Sequence, residues 1–315
     1  MDNLTDQSTL FEGQSLWVRA VGDQLFELCF DRQDGSANKL DSCTLKELNE
    51  ALAQLAQADA VCGLLVSSAT DVFVVGADVH EFVQRFALDE AAIIDDVRGA
   101  SDAFRALEDL PFPTVAAIGG YALGGGLELA LACSFRVMSS VAQIGLPEVK
   151  LGLIPGAGGH VRLPRVAGIS VALQWITEGN SFRAEAALAA NVVYDVCEPN
   201  TLRQAALKVL QQAAAGDLDW QEERRKKCTH LNADTGHATH LSGDPTSKSA
   251  ELPALAAVPG LLARCARLQR DAALEEELRT FAGIVRTPQA AQLVQAFIDA
   301  QAARRLARQV NTVTN

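Results

Sequence analysis

Gly120-Tyr-Ala-Leu-Gly-Gly-Gly-Leu-Glu128, followed by Gly145-Leu-Pro-Glu148-Val-Lys-Leu-Gly-Leu-Ile-Pro-Gly-Ala-Gly-Gly159, is the stretch on which the reading of this chain turns. Three consecutive glycines let backbone amides approach a ligand with no Cβ in the way. Gly124-Gly125-Gly126 is not a P-loop, because Leu127-Glu128 stands where Lys-Ser/Thr would follow. It is not a dinucleotide loop either, because the G-x-G-x-x-G spacing is missing. Two readings remain open: a purely structural glycine run, or a helix start whose Gly125 N–H faces an oxyanion and gains from the helix dipole. Phe73-Val-Val-Gly-Ala-Asp78 offers a second donor, the amide of Ala77, although alone it reads as an ordinary turn. Glu128 and Glu148 are both embedded among glycine and apolar residues, where a carboxylate is costly unless it is used or hydrogen-bonded. Held together, two such groups push one pKa upward and form a proton-sharing pair around a water. An oxyanion binder beside paired carboxylates points to acid and base chemistry next to a carbonyl.

Outward from this stretch, strand and helix signals alternate. Leu16–Ala20 and Leu25–Phe30 read as strands around Val21–Gln24. Ser42–Gln57 has helical spacing, with Leu45, Leu48, Leu52 and Leu55 on one face. Val61–Val66, Thr114–Ile118 and Phe135–Met138 read as strands, Ala92–Leu107 and Leu127–Ala132 as helices, and Ser67–Val79 as a loop. From His160 the pattern is mostly helical, in the segments His160–Arg165, Val171–Thr177, Arg183–Ala189 and Asn200–Ala215. The class is α/β. Thr229–Pro253 is rich in Ser, Thr, Asp, Gly and His and reads as a connector. Val258–Ile284 and Pro288–Val310 are helical and amphipathic, and their apolar stripes are expected to bury against the body. The organisation predicted is a catalytic body over 1–215, a connector over 216–253 and a helical extension over 254–315.

Composition excludes several classes. A net charge of −12 argues against nonspecific nucleic-acid binding. Met1–Thr9 is polar and acidic, unlike a secretion or transit signal, and no apolar run spans a bilayer. Seven scattered cysteines without a CxxC read as reduced thiols of a cytoplasmic protein, and five histidines show no metal spacing.

Gly76-Ala77-Asp78, the two glycine-rich segments above and Arg162-Leu-Pro-Arg165 occur here in the order that resembles the crotonase superfamily of enoyl-CoA hydratases and isomerases. Ser36–Asp41, Leu107-Glu-Asp-Leu-Pro111, Gly216–Trp220, Ala273–Glu276 and Phe297–Gln301 are similar to the hydratase part of the multifunctional fatty-acid oxidation α-subunit. The resemblance implies a spiral of ββα units with a helical C-terminal part. It implies an acyl-CoA thioester substrate whose oxygen rests on the amides of Ala77 and Gly125. Glu128 would activate the water, Glu148 would protonate the α-carbon, and trans-2-enoyl-CoA would become 3-hydroxyacyl-CoA; the same pair could shift a 3-enoyl double bond. The CoA-binding set implied is Ala37, Asn38, Lys39 and Leu40, with Gly76 and Asp78 beside them. CoA enters as part of the substrate, with no metal and no NAD site expected, because no G-x-G-x-x-G follows residue 260. The resemblance also implies an oligomer, with itself or with a thiolase-like subunit. Two alternatives stay open: another crotonase reaction on a specialised acyl-CoA or acyl-ACP, and a non-catalytic assembly subunit docking a thiolase-like partner. The chain departs from the family at Gly119 (often Asn), Ser134 (often Asp), and His80 and His160 (often Ser or Thr).

Overall fold

The structure is a computed structural model that describes residues 8–34, 37–59, 61–231 and 252–313. Strands β1 (Thr9–Glu12), β2 (Leu16–Gly22), β3 (Leu25–Phe30), β4 (Gly63–Ser68), β5 (Thr114–Ile118), β7 (Phe135–Ser139) and β10 (Asp195–Cys197) form one sheet in the order β1-β2-β3-β4-β5-β7-β10. The first two pairings are antiparallel, and β3 through β10 run parallel. The β2–β3 hairpin closes on Asp23-Gln24, both at positive φ, the conformation whose twist matches a two-residue hairpin. β5 and β7 are buried at every residue, as expected of parallel strands covered on both faces.

One face of the sheet is covered by α8 (Leu202–Ala215), whose Val209, Leu210 and Ala213 pack with Leu65, Val115 and Val137. The main core lies on the other face. It receives α1 (Ser42–Gln57), capped by Asp41, whose side chain accepts from Thr44 N at 2.9 Å. It also receives α3 (Glu90–Glu108), α4 (Gly125–Ala132), α5 (Gly159–Ala167) and α6 (Ile169–Glu178).

Several elements differ from the sequence expectation. A second sheet, β6 (Tyr121–Leu123), β8 (Gln143–Gly145) and β9 (Ser181–Arg183), consists of three-residue strands beside glycines and shows no alternation to read. The expected loop before residue 80 runs directly into α2 (Val79–Arg85), started by Asp78, which accepts from His80 N at 2.9 Å. The segment Arg183–Ala189 divides into the end of β9 and α7 (Ala184–Ala189). Of the expected connector, Trp220–Cys228 is helix α9, capped by Asp219, and 232–251 lie outside the described residues. Val258–Ile284 is two helices, α10 (Pro253–Ala266) and α11 (Arg270–Val285), because the backbone is extended at Gln269.

The C-terminal helices are built into the body. Val258, Leu261, Leu262 and Cys265 are fully buried. Arg165 of α5 donates to the carbonyls of Cys265 and Leu268 at 3.0 and 2.8 Å, satisfying the open end of α10. Phe281 of α11 meets Phe82 of α2 edge to face at 5.9 Å. The last helix, α12 (Pro288–Val313), keeps only part of its expected contact: Val294 is buried, Leu293 and Ile298 are half-buried, and Phe297 is exposed. α12 touches α2, α11 and the short turn Glu148–Leu151. Among the described residues no helix is long and apolar enough to cross a membrane.

Candidate active site

The site grows from the turn between β6 and α4. Gly124 has φ +56° and ψ −126°, a backbone state that disfavours any side chain, and a Cβ there would lie 2.9 Å from Glu148 Oε1. At Gly125 a Cβ would meet Leu40 Cδ1 at 2.8 Å and stand 4.0 Å from Glu128 Oε2. Adjacent positions of one turn therefore face the two sequence-predicted carboxylates.

Glu128 sits in the first turn of α4, a helix buried on all sides from Gly126 onward. The other end of α4 is held by Lys227 of α9, whose ammonium donates to the carbonyls of Leu131, Ala132 and Cys133 at 3.1, 2.8 and 2.9 Å. A cation on the open C-terminal carbonyl oxygens complements the helix dipole. Glu128 Oε1 accepts from Ala157 N at 2.9 Å and Gly159 N at 2.7 Å. Glu148 opens a short 3₁₀ turn, Glu148–Leu151, after Pro147. The residue is half-buried, and its carboxyl Oε2 is buried and receives no hydrogen bond from the described residues.

Burial pushes the Glu128 pKa well above the ordinary carboxylate value, with the charges of Glu277 and Glu148 adding to it and the two amide hydrogen bonds opposing it. Burial likewise pushes Glu148 up to about 8, and the charge of Glu277 contributes. At neutral pH this cluster retains at least one proton.

Glu277 was not among the residues the sequence singled out. It lies on α11, fully buried, and accepts from Gly158 N at 2.6 Å, His160 N at 2.7 Å and faces His160 Nδ1 at 3.0 Å. The signal was there to be read: Glu277 shares the apolar face of Ala273, Leu274, Leu278 and Phe281, where an isolated acid must have a buried partner.

The segment 37–40 is brought alongside 76–78 by a parallel bridge between Leu40 and Ala77, with Leu40 N donating to Gly76 O at 2.8 Å. Gly76 in turn abuts the helix start, since a Cβ on it would lie 3.4 Å from Gly125 N. Ala37, Lys39, Leu40, Gly76, Ala77 and Asp78 thus collect beside Gly125. Ala37 and Ala77 are exposed, and Leu40 and Gly76 are buried. Asn38 is turned inward: its amide nitrogen is 2.9 Å from Ser68 Oγ and 3.2 Å from the carbonyls of Phe30 and Phe73, so the side chain staples three segments. Lys39 pairs with Asp78 at 2.5 Å, so its charge is shared. Burial alone would raise the Asp78 pKa, but the Lys39 ammonium and the His80 amide hold it below its ordinary value.

A cavity of about 310 Å³ at the carboxyl ends of β4, β5 and β7, lined by Glu27, Gly119, Ser139 and Arg203, contains none of these residues. Among the described residues no group of His, Cys, Asp and Glu has the arrangement of a metal site.

Comparison with known proteins places this geometry. The family described as enoyl-CoA hydratase/isomerase matches residues 24–237. The fatty acid oxidation complex subunit alpha of Pseudomonas putida (strain GB-1) is 41% identical over 307 residues, covering 95% of this chain and 42% of the relative. The subunit of the same name from Ectopseudomonas oleovorans is also 41% identical. The chain therefore spans less than half the length of these curated relatives. The crystal structure of enoyl-CoA hydratase from Bacillus anthracis is 26% identical, with a TM-score of 0.61 over 91% of this chain and 97% of that one. The structure of Pseudomonas aeruginosa DspI is 30% identical, with a TM-score of 0.59 over 71% of this chain and 87% of that one. The α/β spiral with its C-terminal helices is thus the crotonase fold, and the chain belongs to the enoyl-CoA hydratase/isomerase family.

Proposed function

We propose that this chain adds water across the double bond of a trans-2-enoyl-CoA, giving 3-hydroxyacyl-CoA in fatty-acid β-oxidation. The observation that carries the reading is the convergence of two glutamates with raised pKa, Glu128 buried and Glu148 with its Oε2 buried, on the Gly124–Gly125 turn, beside the Gly76–Ala77 loop. The thioester oxygen would rest between the amides of Ala77 and Gly125, the latter at the positive end of α4. Charge then develops on that oxygen as water attacks the β-carbon. Glu128 is the base: two amide donors on its Oε1 oppose the upward push of burial, Glu148 Oε2 has no such donor, so the proton the pair retains is assigned to Glu148 and Glu128 takes a proton from the attacking water. Glu148 is the acid: its unpartnered buried Oε2 favours the protonated form, and it delivers that proton to the α-carbon. The β-carbon gains hydroxyl, the α-carbon gains hydrogen, and the pair ends with its proton on the other carboxyl.

The CoA part of the substrate would lie along Ala37, Lys39 and Leu40, with Gly76 and Asp78 forming the adjoining wall. The relatives' name supports a further step, assembly with other subunits into a fatty acid oxidation complex, for which a thiolase-like partner is our proposal. The reading is tested by following hydration of crotonyl-, decenoyl- and hexadecenoyl-CoA by the purified chain, with Glu128→Gln and Glu148→Gln as controls. Each substitution should lower kcat by at least ~10²-fold, and the effects should be non-additive because both groups act on one addition. Near-wild-type hydration by either variant would remove that residue from the mechanism.

A further inference from the structure

We propose that Glu277, supplied by the C-terminal helix α11, is a positioning residue of this active site: it holds alternate amides of the loop whose other amides hold Glu128. The pattern along the chain is regular. Ala157 N and Gly159 N go to Glu128, and Gly158 N and His160 N go to Glu277, at 2.6 to 2.9 Å. These amides open α5, where N–H groups have no partner within the helix and the dipole favours negative charge. Two carboxylates from two other helices thus divide one helix start, and the position of the loop is fixed from both sides. With Glu277 neutral or absent, Gly158 N–H and His160 N–H lose a buried anionic acceptor. The loop then relaxes, and the Ala157 and Gly159 amides that orient Glu128 move with it.

Glu277 also acts through charge. Burial is the first cause of the raised pKa of Glu128 and of Glu148, and the carboxylate of Glu277 is the foremost neighbouring charge for both. The other titratable groups beside it are His160 from α5 and Cys265 from α10, while Arg162 of α5 donates to the Ala157 carbonyl and pairs with Glu108. From α3 and α9, Arg98 pairs with Glu275, while Glu108 and Lys227 join the Arg270 cluster. Neutralising Glu277 removes a like charge, so the catalytic carboxyls should give up their protons at lower pH.

The test is Glu277→Gln in the full chain, and its activity arm rests on the hydratase reading. The expected result is a fall in kcat of about tenfold or more with KM changed less than about threefold, the signature of lost orientation after binding. The alkaline limb of the kcat/KM profile should move down by about half a pH unit or more. Glu277→Asp keeps the charge with a shorter reach. Its kcat should fall while the alkaline limb stays, and it carries the test if the glutamine variant does not fold. A folded Glu277→Gln with wild-type kcat, or with an unmoved alkaline limb, overturns the proposal, as does wild-type kcat in Glu277→Asp. Titration of ¹³C-labelled glutamate carboxyls needs no substrate and separates the two readings. Carboxyls of Glu128 and Glu148 that shift in Glu277→Gln, in a chain that hydrates nothing, would sink the hydratase reading alone. Carboxyls that do not shift in an active chain would sink the role of Glu277 alone.

Discussion

Glu108→Gln tests how the C-terminal helices are joined to the catalytic body. Glu108 ends α3 and is 3% exposed. Its carboxylate lies 3.1 Å from Arg162 of α5, 3.1 Å from Lys227 of α9 and 3.3 Å from Arg270 of α11. Burial alone would raise its pKa, but Arg162, Lys227 and Arg270 outweigh that cost and hold it at about 2. The folded-state value lies below the unfolded one, so the contribution is fully present above about pH 4.5 and is lost as pH falls toward 2. A depression of about two and a half units corresponds to about 3 kcal/mol at neutral pH. Leaving three buried cations without their shared carboxylate places the total cost at about 3–5 kcal/mol, or roughly 5–10 °C in Tm. Urea midpoints for wild type and Glu108→Gln at pH 7, 4 and 3 measure it. The gap between the two proteins should narrow by about 1.4 kcal/mol per pH unit below pH 4.5. A cost under about 1 kcal/mol at pH 7, or a gap that does not change with pH, would refute the reasoning.

Three further outcomes follow from the same geometry. Gly124→Ala should destabilise by about 1–3 kcal/mol from its positive φ and, by displacing Glu148 from a 2.9 Å approach, lower kcat by about 10²-fold; a folded variant with wild-type kcat would move Glu148 out of the site. Truncation after residue 251 removes Glu277 and Arg270 together, and should abolish hydration and lower Tm; full activity with unchanged melting would show that α10–α12 are dispensable. The purified chain should form no NADH from 3-hydroxyacyl-CoA and NAD, since the glycine fingerprint is missing from its sequence, and measurable NADH formation would contradict that.

Much of the fold was legible because long periodic segments speak for themselves. Ser42–Gln57 and Thr114–Ile118 were bounded to the residue, one by its leucine stripe, the other by a compact apolar run before a glycine. What escaped was short or non-local. β6, β8 and β9 are each three residues long, and their pairing is set by glycine turns with no hydrophobic alternation. α2 hides behind a loop-like sequence and is decided by one N-cap at Asp78. At the site, Glu128 and Glu148 were legible because acids stand out amid glycine and apolar residues. Glu277 was missed because its partners are amides more than a hundred residues earlier, and backbone N–H groups leave no mark in a sequence. The inward turn of the Asn38 side chain was hidden for the same reason: a polar residue in a polar loop reads as surface until its four neighbouring acceptors are seen.

The measurement that tests the central claim most directly is the pH profile of kcat/KM for crotonyl-CoA hydration by the purified chain. This parameter reports the essential acid and base of the free enzyme. Glu148 must be protonated to deliver hydrogen to the α-carbon, and burial holds its pKa at about 8. The account therefore predicts robust hydration at neutral pH that falls as pH rises through about 8, and a Glu148→Gln variant at least ~10²-fold slower at every pH. No hydration by the wild-type chain, or hydration that stays level from about pH 7 to about pH 10 with Glu148→Gln equally active, would contradict it.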